Sequence, residues 1–405
     1  MKAAVRWSGR TTVIGEDGRP LLPAAAAALG AATLVVGAAR HLACADLPPG
    51  ATTLVMGDVG DAVAAVADHE GPSVVLASGD PGFFGIVRRL RAAGVKPVVH
   101  PATSSVATAF ARAGLRWDDA EVVSAHGRDA RLAVNTCRRA RKTAVLTAPG
   151  AGPGELGAAL AGREDRVLFV AERLGAPDER TGWVTPAQAA GRDDWGEPNV
   201  VLVVDPLVAE DADDPMPWRT GGLGVPDGWA LPEDAFEHRD GMVTKAEVRA
   251  HALARLAPRP GVLVWDVGAG SGSVGIECAR FGAAAVLVER YPEQAARAEV
   301  NATLHDVPVE VVVGDAPEVL AGLPDPDAVF VGGGGLAVVA AVAARRPARL
   351  VVALAALERV GPTLEALGAY DVEAVLLQAQ RLVPLAGAHR LAPSNPVFVV
   401  SGVLR

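Results

Sequence analysis

The stretch Val262-Leu-Val-Trp-Asp-Val-Gly-Ala-Gly-Ser-Gly-Ser273 decides the fold. An apolar, partly β-branched run passes without a break into a loop carrying Gly268, Gly270 and Gly272, and VGIECARFG, residues 274–282, then reads as a helix closed by glycine. A strand that turns through glycines into a helix lets backbone approach a ligand closely. It also aims helix N–H groups at an anionic group. The next strand, AAVLVER at 284–290, delivers Glu289 at its end. An acidic side chain about that far along can take both ribose hydroxyls of an adenosine ligand. The nicotinamide dinucleotide fingerprint wants G-x-G-x-x-G, whereas this loop is G-x-G-x-G with Ser273 following. A glycine turn of purely structural purpose remains the alternative.

Working outward, KAEVRAHALARLA at 245–257 is an amphipathic helix and PEQAARAEVNATLH at 292–305 is another. VEVVVGDA (309–316), DAVFVGGG (327–334), RLVVALA (349–355) and PVFVVSGVL (396–404) read as strands apolar enough for a sheet covered on both faces. Upstream, residues 206–232 are rich in Pro, Gly and Asp with no apolar period, the texture of a linker. Before it, SVVLA (73–77), KPVVH (96–100), AEVVSA (120–125), TAVLTA (143–148), RVLFVAE (166–172) and NVVLVV (199–204) alternate with alanine-rich helical stretches. The expectation is an α/β chain with domains at 1–205 and 233–405. The uncharged run at 21–39 raises a signal peptide or membrane span, but its alanine content, Pro23, Gly30 and TLVV favour helix, turn and strand.

Composition narrows the function. The chain has 405 residues, 50% of them hydrophobic and 21% charged, so it is globular and long enough for two domains. A net charge of −9 argues against nucleic acid. Three scattered cysteines, Cys44, Cys137 and Cys278, form neither a disulfide framework nor a metal motif, so no metal is expected and a cytoplasmic setting is. His41 and Cys44 have ligand-like spacing without partners.

The glycine loop, followed by Gly314-Asp315-Ala316 after the strand VEVVV, resembles the first and later motifs of Rossmann-like methyltransferases that use S-adenosylmethionine. The segment 231–249, LPEDAFEHRDGMVTKAEVR, resembles the opening of the decarboxylating precorrin methyltransferases of cobalamin synthesis. Val331-Gly-Gly-Gly334, Ala355-Ala-Leu-Glu358 and Asn395-Pro-Val-Phe-Val-Val-Ser-Gly402 extend the match. The resemblance implies methylation of carbon 15 of a reduced tetrapyrrole, with loss of carbon dioxide from the acetate on ring C. Carried over by position, Thr244, Gly268, Ala269, Gly270, Ser271, Gly272, Glu289, Asp315 and Ala316 would bind S-adenosylmethionine. Lys245 could meet a substrate carboxylate, and Gly332, Gly333 and Gly334 could let a broad substrate lie on backbone. Thr244 with Glu247 also fits a helix-capping box.

The N-terminal half carries Ser78-Gly-Asp-Pro-Gly-Phe-Phe-Gly85 after a strand, Pro101-Ala-Thr-Ser-Ser105, Ser124-Ala-His-Gly-Arg128 and Glu172-Arg-Leu-Gly175. Together these resemble the tetrapyrrole methylase family, a two-subdomain α/β fold, in its branch that methylates carbon 5. The resemblance would place Gly79, Asp80, Pro81, Phe84, Ser104 and Ser105 around S-adenosylmethionine, and His126, Arg128 or Arg112 near the substrate. The family usually opens with a strand running into Gly-x-Gly. Here Val13 takes the first glycine position, Ala102 precedes the serines and Ala148 stands where an Asp is common, so activity of this half is the weaker expectation. Both halves in this order resemble the fused enzymes acting at carbons 5 and 15. A homo-oligomer with a small-molecule substrate and no nucleic-acid or membrane partner is expected. The alternatives are an active C-terminal half beside a degenerate binding half, a methyltransferase for another acceptor, and a non-catalytic tetrapyrrole carrier.

Overall fold

The computed structural model describes residues 10–207, 226, 228–239 and 241–405. Most of the Pro/Gly/Asp-rich stretch read as a linker, Gly221 included, lies outside them, as do residues 1–9. The described residues divide into two compact units. One holds residues up to 127 and 144–207, and the other holds 128–143 and everything from 226 onward. Among the described residues no helix is long and apolar enough to cross a membrane. The run at 21–39 is the helix Pro23–Gly30, with proline in its first turn, followed by a strand.

The first unit begins with a parallel sheet of β1 (Thr11–Glu16), β2 (Leu34–Gly37), β3 (Thr52–Val55), β4 (Ser73–Ser78) and β5 (Val98–His100), in the order β3-β2-β4-β1-β5. Its alternate residues face opposite ways. Val13, Val36 and Val75 join one apolar cluster, while Ile14, Val35 and Leu76 join another. A second sheet of β6 (Glu121–Ser124), β7 (Lys142–Leu146), β8 (Val167–Glu172), β9 (Arg180–Val184) and β10 (Asn199–Val204) is ordered β6-β7-β10-β8-β9. β8 runs antiparallel to both of its neighbours, β9 and β10.

The second unit is built on one sheet of seven strands: β11 (Leu263–Val267), β12 (Ala284–Glu289), β13 (Glu310–Val313), β14 (Ala328–Val331), β15 (Arg349–Leu354), β16 (Tyr370–Leu377) and β19 (Val397–Leu404). Their order is β13-β12-β11-β14-β15-β19-β16, with β19 antiparallel to both β15 and β16. Between β16 and β19 the chain makes a separate hairpin of β17 (Gln380–Leu385) and β18 (Ala388–Pro393). Leu263, Trp265 and Val267 pack on the face carrying the helix Leu336–Ala344, and Val264 packs on the opposite face with the helix Ala246–Leu256. Burial of each such side chain contributes roughly 1.5–3 kcal/mol. Strand order reverses at β11, between β12 and β14. That is where an open α/β sheet leaves a crevice beyond its C-terminal strand ends.

Candidate functional site

The glycine loop leaves β11 at that crevice. Gly268, Gly270 and Gly272 all have positive φ, at 73°, 55° and 75°. A side chain at Gly268 would bring its Cβ to 2.8 Å from the Gly333 backbone N, and one at Gly272 would meet the Leu287 side chain at 2.7 Å. Nothing stands within 4 Å of where a Cβ of Gly270 would be, so this part of the loop faces open space. Each position therefore needs glycine on conformational grounds, and two of them also on steric grounds.

The open space is a cleft of about 840 Å³. Thr244, Gly268, Ala269, Gly270, Ser271, Glu289, Asp315, Ala316, Gly332, Gly333 and Gly334 line it, together with Tyr291, Arg239 and Arg290. Residues far apart in sequence and expected at one site thus converge. Gly272 and Lys245 are not among the lining residues. Gly272 caps the helix Ser273–Arg280, and the Lys245 ammonium donates to the Gly241 carbonyl at 3.4 Å.

Glu289 is only 6% exposed, and its carboxylate has backbone partners. It accepts from the Gly270 N–H at 2.9 Å and from the Tyr291 N–H at 3.0 Å, tying β12 to the glycine loop. Asp266 beneath the loop accepts from the Gly275 N–H at 2.8 Å. Burial, with a smaller push from the Glu289 charge, raises its carboxyl to about 7. The Ser271 hydroxyl is buried at the cleft wall with no partner. An orphaned hydroxyl, three left-handed glycines and a strand-end carboxylate suit an adenosine-bearing, zwitterionic ligand such as S-adenosylmethionine.

The segment leading into the first helix is anchored by residues that sequence reading did not single out. Arg249 and Glu277 form an ion pair at 2.6 Å, both fully buried. The guanidinium also donates to the carbonyls of Thr244 and Leu231, and it lies over the Phe236 ring at 4.7 Å. Glu277 in turn accepts from the Ala230 and Leu231 N–H groups. The buried amide of Asn301 donates to the carbonyls of Ser271 and Glu237 and accepts from the Glu237 N–H, joining the glycine loop to the same segment. The Thr244–Glu247 capping box is not formed. The Ala246 N–H goes instead to Glu233, and Arg381 of β17 bonds both Glu233 and Glu247. Arg381 holds the Glu233 carboxyl down at about 2. A single basic side chain across two carboxylates outcompetes the local cap.

In the first unit the loop at Gly79 meets the turn before Ser105, and Gly18 meets Gly175. Gly79 has φ +61°, and its carbonyl lies so close to Gly15 that a Cβ there would come within 2.1 Å. Asp80 accepts from the Gly82 N–H at 2.8 Å, holding the turn through Pro81. Phe84 takes φ +54°, with its ring 5.0 Å from that of Phe83. Ser104 caps the helix Ser105–Ala113 by accepting from Ala107 N, and Asp17 accepts from the Thr103 N–H. Val13 lies inside β1, paired with Val75 and Val99, and is wholly buried. The left-handed turn comes later, at Gly18, whose Cβ position is 2.4 Å from the Gly175 carbonyl. His126 and Arg128 are exposed beside Gly127 in the turn after β6. Arg112 pairs with Glu179 at 2.5 Å. His41 lies against the Ser78 hydroxyl at 3.0 Å, and burial pushes its imidazole down to about 4.

Comparison with known proteins matches both halves. Residues 20–190 fit the family model of tetrapyrrole (corrin/porphyrin) methylases, and residues 234–403 fit the precorrin methyltransferase domain. A Sinorhizobium sp. protein named precorrin-6Y C(5,15)-methyltransferase [decarboxylating] is 40% identical over 340 residues, spanning 80% of this chain and 77% of its own. Two Salmonella typhimurium proteins each match less than half of the chain. A cobalt-precorrin-7 C(5)-methyltransferase is 34% identical over 47% of this chain and 96% of its own. A cobalt-precorrin-6B C(15)-methyltransferase (decarboxylating) is 35% identical over 39% of this chain and 88% of its own. The protein is thus a methyltransferase enzyme, and the chain belongs to the precorrin-6Y C(5,15)-methyltransferase (decarboxylating) family.

Proposed function

We propose that the protein uses S-adenosylmethionine to methylate carbons 5 and 15 of a precorrin and removes carbon dioxide from its ring C acetate, in cobalamin biosynthesis. The half matched over 20–190 acts at carbon 5, and the half matched over 234–403 acts at carbon 15 and on the acetate. The observation that carries this reading is the C-terminal cleft. There Thr244, the glycine loop, Glu289, Asp315 and Ala316 line one wall system, with the side-chain-free run Gly332–Gly334 beside them.

S-adenosylmethionine supplies an electrophilic methyl group on a sulfonium. The protein's own residues hold, orient and dry the reactants, which suits an in-line displacement by an already nucleophilic ring carbon. The cleft carboxylate Glu289 would accept from ribose hydroxyls, and the Ser271 hydroxyl and loop N–H groups would take the ligand's polar atoms. In the first half, Gly79, Asp80, Pro81, Phe84, Ser104 and Ser105 would hold the second donor, with His126 and Arg128 toward the substrate. Free cysteines suit a cytoplasmic enzyme, and self-association is expected from the family.

The test is product mass from precorrin-6Y and S-adenosylmethionine under anaerobic conditions. Gain of two methyl groups with loss of one carbon dioxide is the expected result. A single methyl gain with decarboxylation would mean a silent N-terminal half, and no methyl gain would end the assignment.

A further inference from the structure

We propose that the C-terminal unit has a separate subsite for the acetate that leaves as carbon dioxide. It is the cavity of about 360 Å³ between the ends of β14 and β15 and the helices Leu336–Ala344 and Val360–Ala366. The inference rests on the function proposed above and deepens it. Gly332 and Gly333 line both this cavity and the larger cleft, so the two spaces meet over backbone that carries no side chain. A flat macrocycle laid across these glycines reaches both at once.

The chemistry needs that adjacency. Carbon 15 is a bridge attached to ring C, so the methyl acceptor and the acetate lie a few bonds apart, yet they need opposite surroundings. The glycine-loop cleft is lined by Glu289, Glu293, Asp315, Arg239 and Arg290. The smaller cavity is walled by Leu336, Val339, Val352, Leu354 and Pro362, with Glu358 and Arg359 its charged members. In decarboxylation the bond between the methylene carbon and the carboxylate breaks. Its electron pair passes into the conjugated macrocycle, neutral carbon dioxide departs, and a proton from water later replaces it on the methylene carbon. Negative charge leaves the carboxylate as the bond breaks. Apolar walls therefore destabilise the starting carboxylate more than the transition state.

Leu336 is 47% exposed and belongs to the cavity but not to the larger cleft, so it can be changed with little cost to folding. Leu336→Arg places a guanidinium where it would hold the carboxylate in its charged form. Leu304→Arg puts the same charge on a 66% exposed leucine that lines neither space. Both full-length variants are assayed with S-adenosylmethionine and precorrin-6Y, and the products are weighed. In Leu336→Arg, the share of methylated product still bearing the acetate should rise at least about tenfold over wild type, and in Leu304→Arg it should not. The subsite is overturned by a wild-type ratio in Leu336→Arg, by a parallel loss of methylation and decarboxylation, or by equal accumulation in both variants. Calorimetric titration with S-adenosylmethionine separates the two levels. A wild-type protein that binds none and gains no methyl overturns the underlying function instead.

Discussion

Glu289 ends β12 beside the glycine loop, and its carboxylate accepts from the Gly270 N–H. Its place at the end of a strand beside a glycine loop is one from which an acidic side chain can take ribose hydroxyls. Its burial and its two backbone donors, Gly270 and Tyr291, come from the loop folding back over it. The carboxylate therefore braces the loop as well as lining the cleft. Hydrogen bonds to a charged group contribute roughly 1.5–3 kcal/mol. Glu289→Ala should weaken S-adenosylmethionine binding in the C-terminal unit by about one to two orders of magnitude. It should also lower the melting temperature by several degrees, while Glu289→Gln recovers more stability than affinity. Calorimetry and thermal melts on the full-length protein read both effects, and unchanged affinity would remove Glu289 from the ligand site. The loop glycines were legible because positive φ leaves few other residues eligible. Asn301 was not, because an asparagine in an amphipathic helix pattern carries no mark of the two segments it will join.

At the scale of elements, the helix Ala246–Leu256 reads as amphipathic, yet Arg249 on it is fully buried against Glu277 of the helix Ser273–Arg280. The pair fixes the backbone at Leu231 and Thr244, and so one wall of the cleft. Removing one partner leaves the other charged and buried. We expect Arg249→Ala to cost about 3–5 kcal/mol in urea unfolding and to weaken S-adenosylmethionine binding along with it. Arg249→Lys keeps the charge but loses the planar fork that serves three acceptors, and it should fall between. A loss below about 1 kcal/mol would show that the segment holds its place without the pair. β16 and the hairpin β17–β18 escaped sequence reading for a physical reason. β16 is an edge strand with one half-exposed face, and Pro384 and Pro393 in the hairpin argue against a strand in any sheet interior.

At the scale of the molecule, two relatives that each match less than half of the chain are named for one methylation each, at carbon 5 and at carbon 15, and we propose that the two reactions are separable here as well. Gly79 has φ +61°, and its Cβ position lies 3.2 Å from the Ser105 N, so a β-branched residue there strains the first half's loop. Gly79→Val should therefore cost one of the two methyl groups while carbon dioxide release persists, as product mass would show. Loss of all three events would mean that the halves do not act independently. The departure at Val13 reads differently once the fold is seen. That residue is inside a parallel strand, and Gly15 and Gly18 carry the close approaches to Gly79 and Gly175.

The α/β class, the two methylase-like halves, the glycine loop and many of the residues at its cleft are written in the chain itself. These are local signals: apolar period, left-handed turns, and polar residues at strand ends. Only the tertiary structure decided which polar groups are buried and whom they serve. Glu289 on its own loop, Arg249 with Glu277, Arg381 across two carboxylates instead of a capping box, and the second cavity behind Gly332 and Gly333 all depend on groups far apart in the chain. Desolvation and pairing are set by which elements pack together, and no pattern within one element encodes its partner.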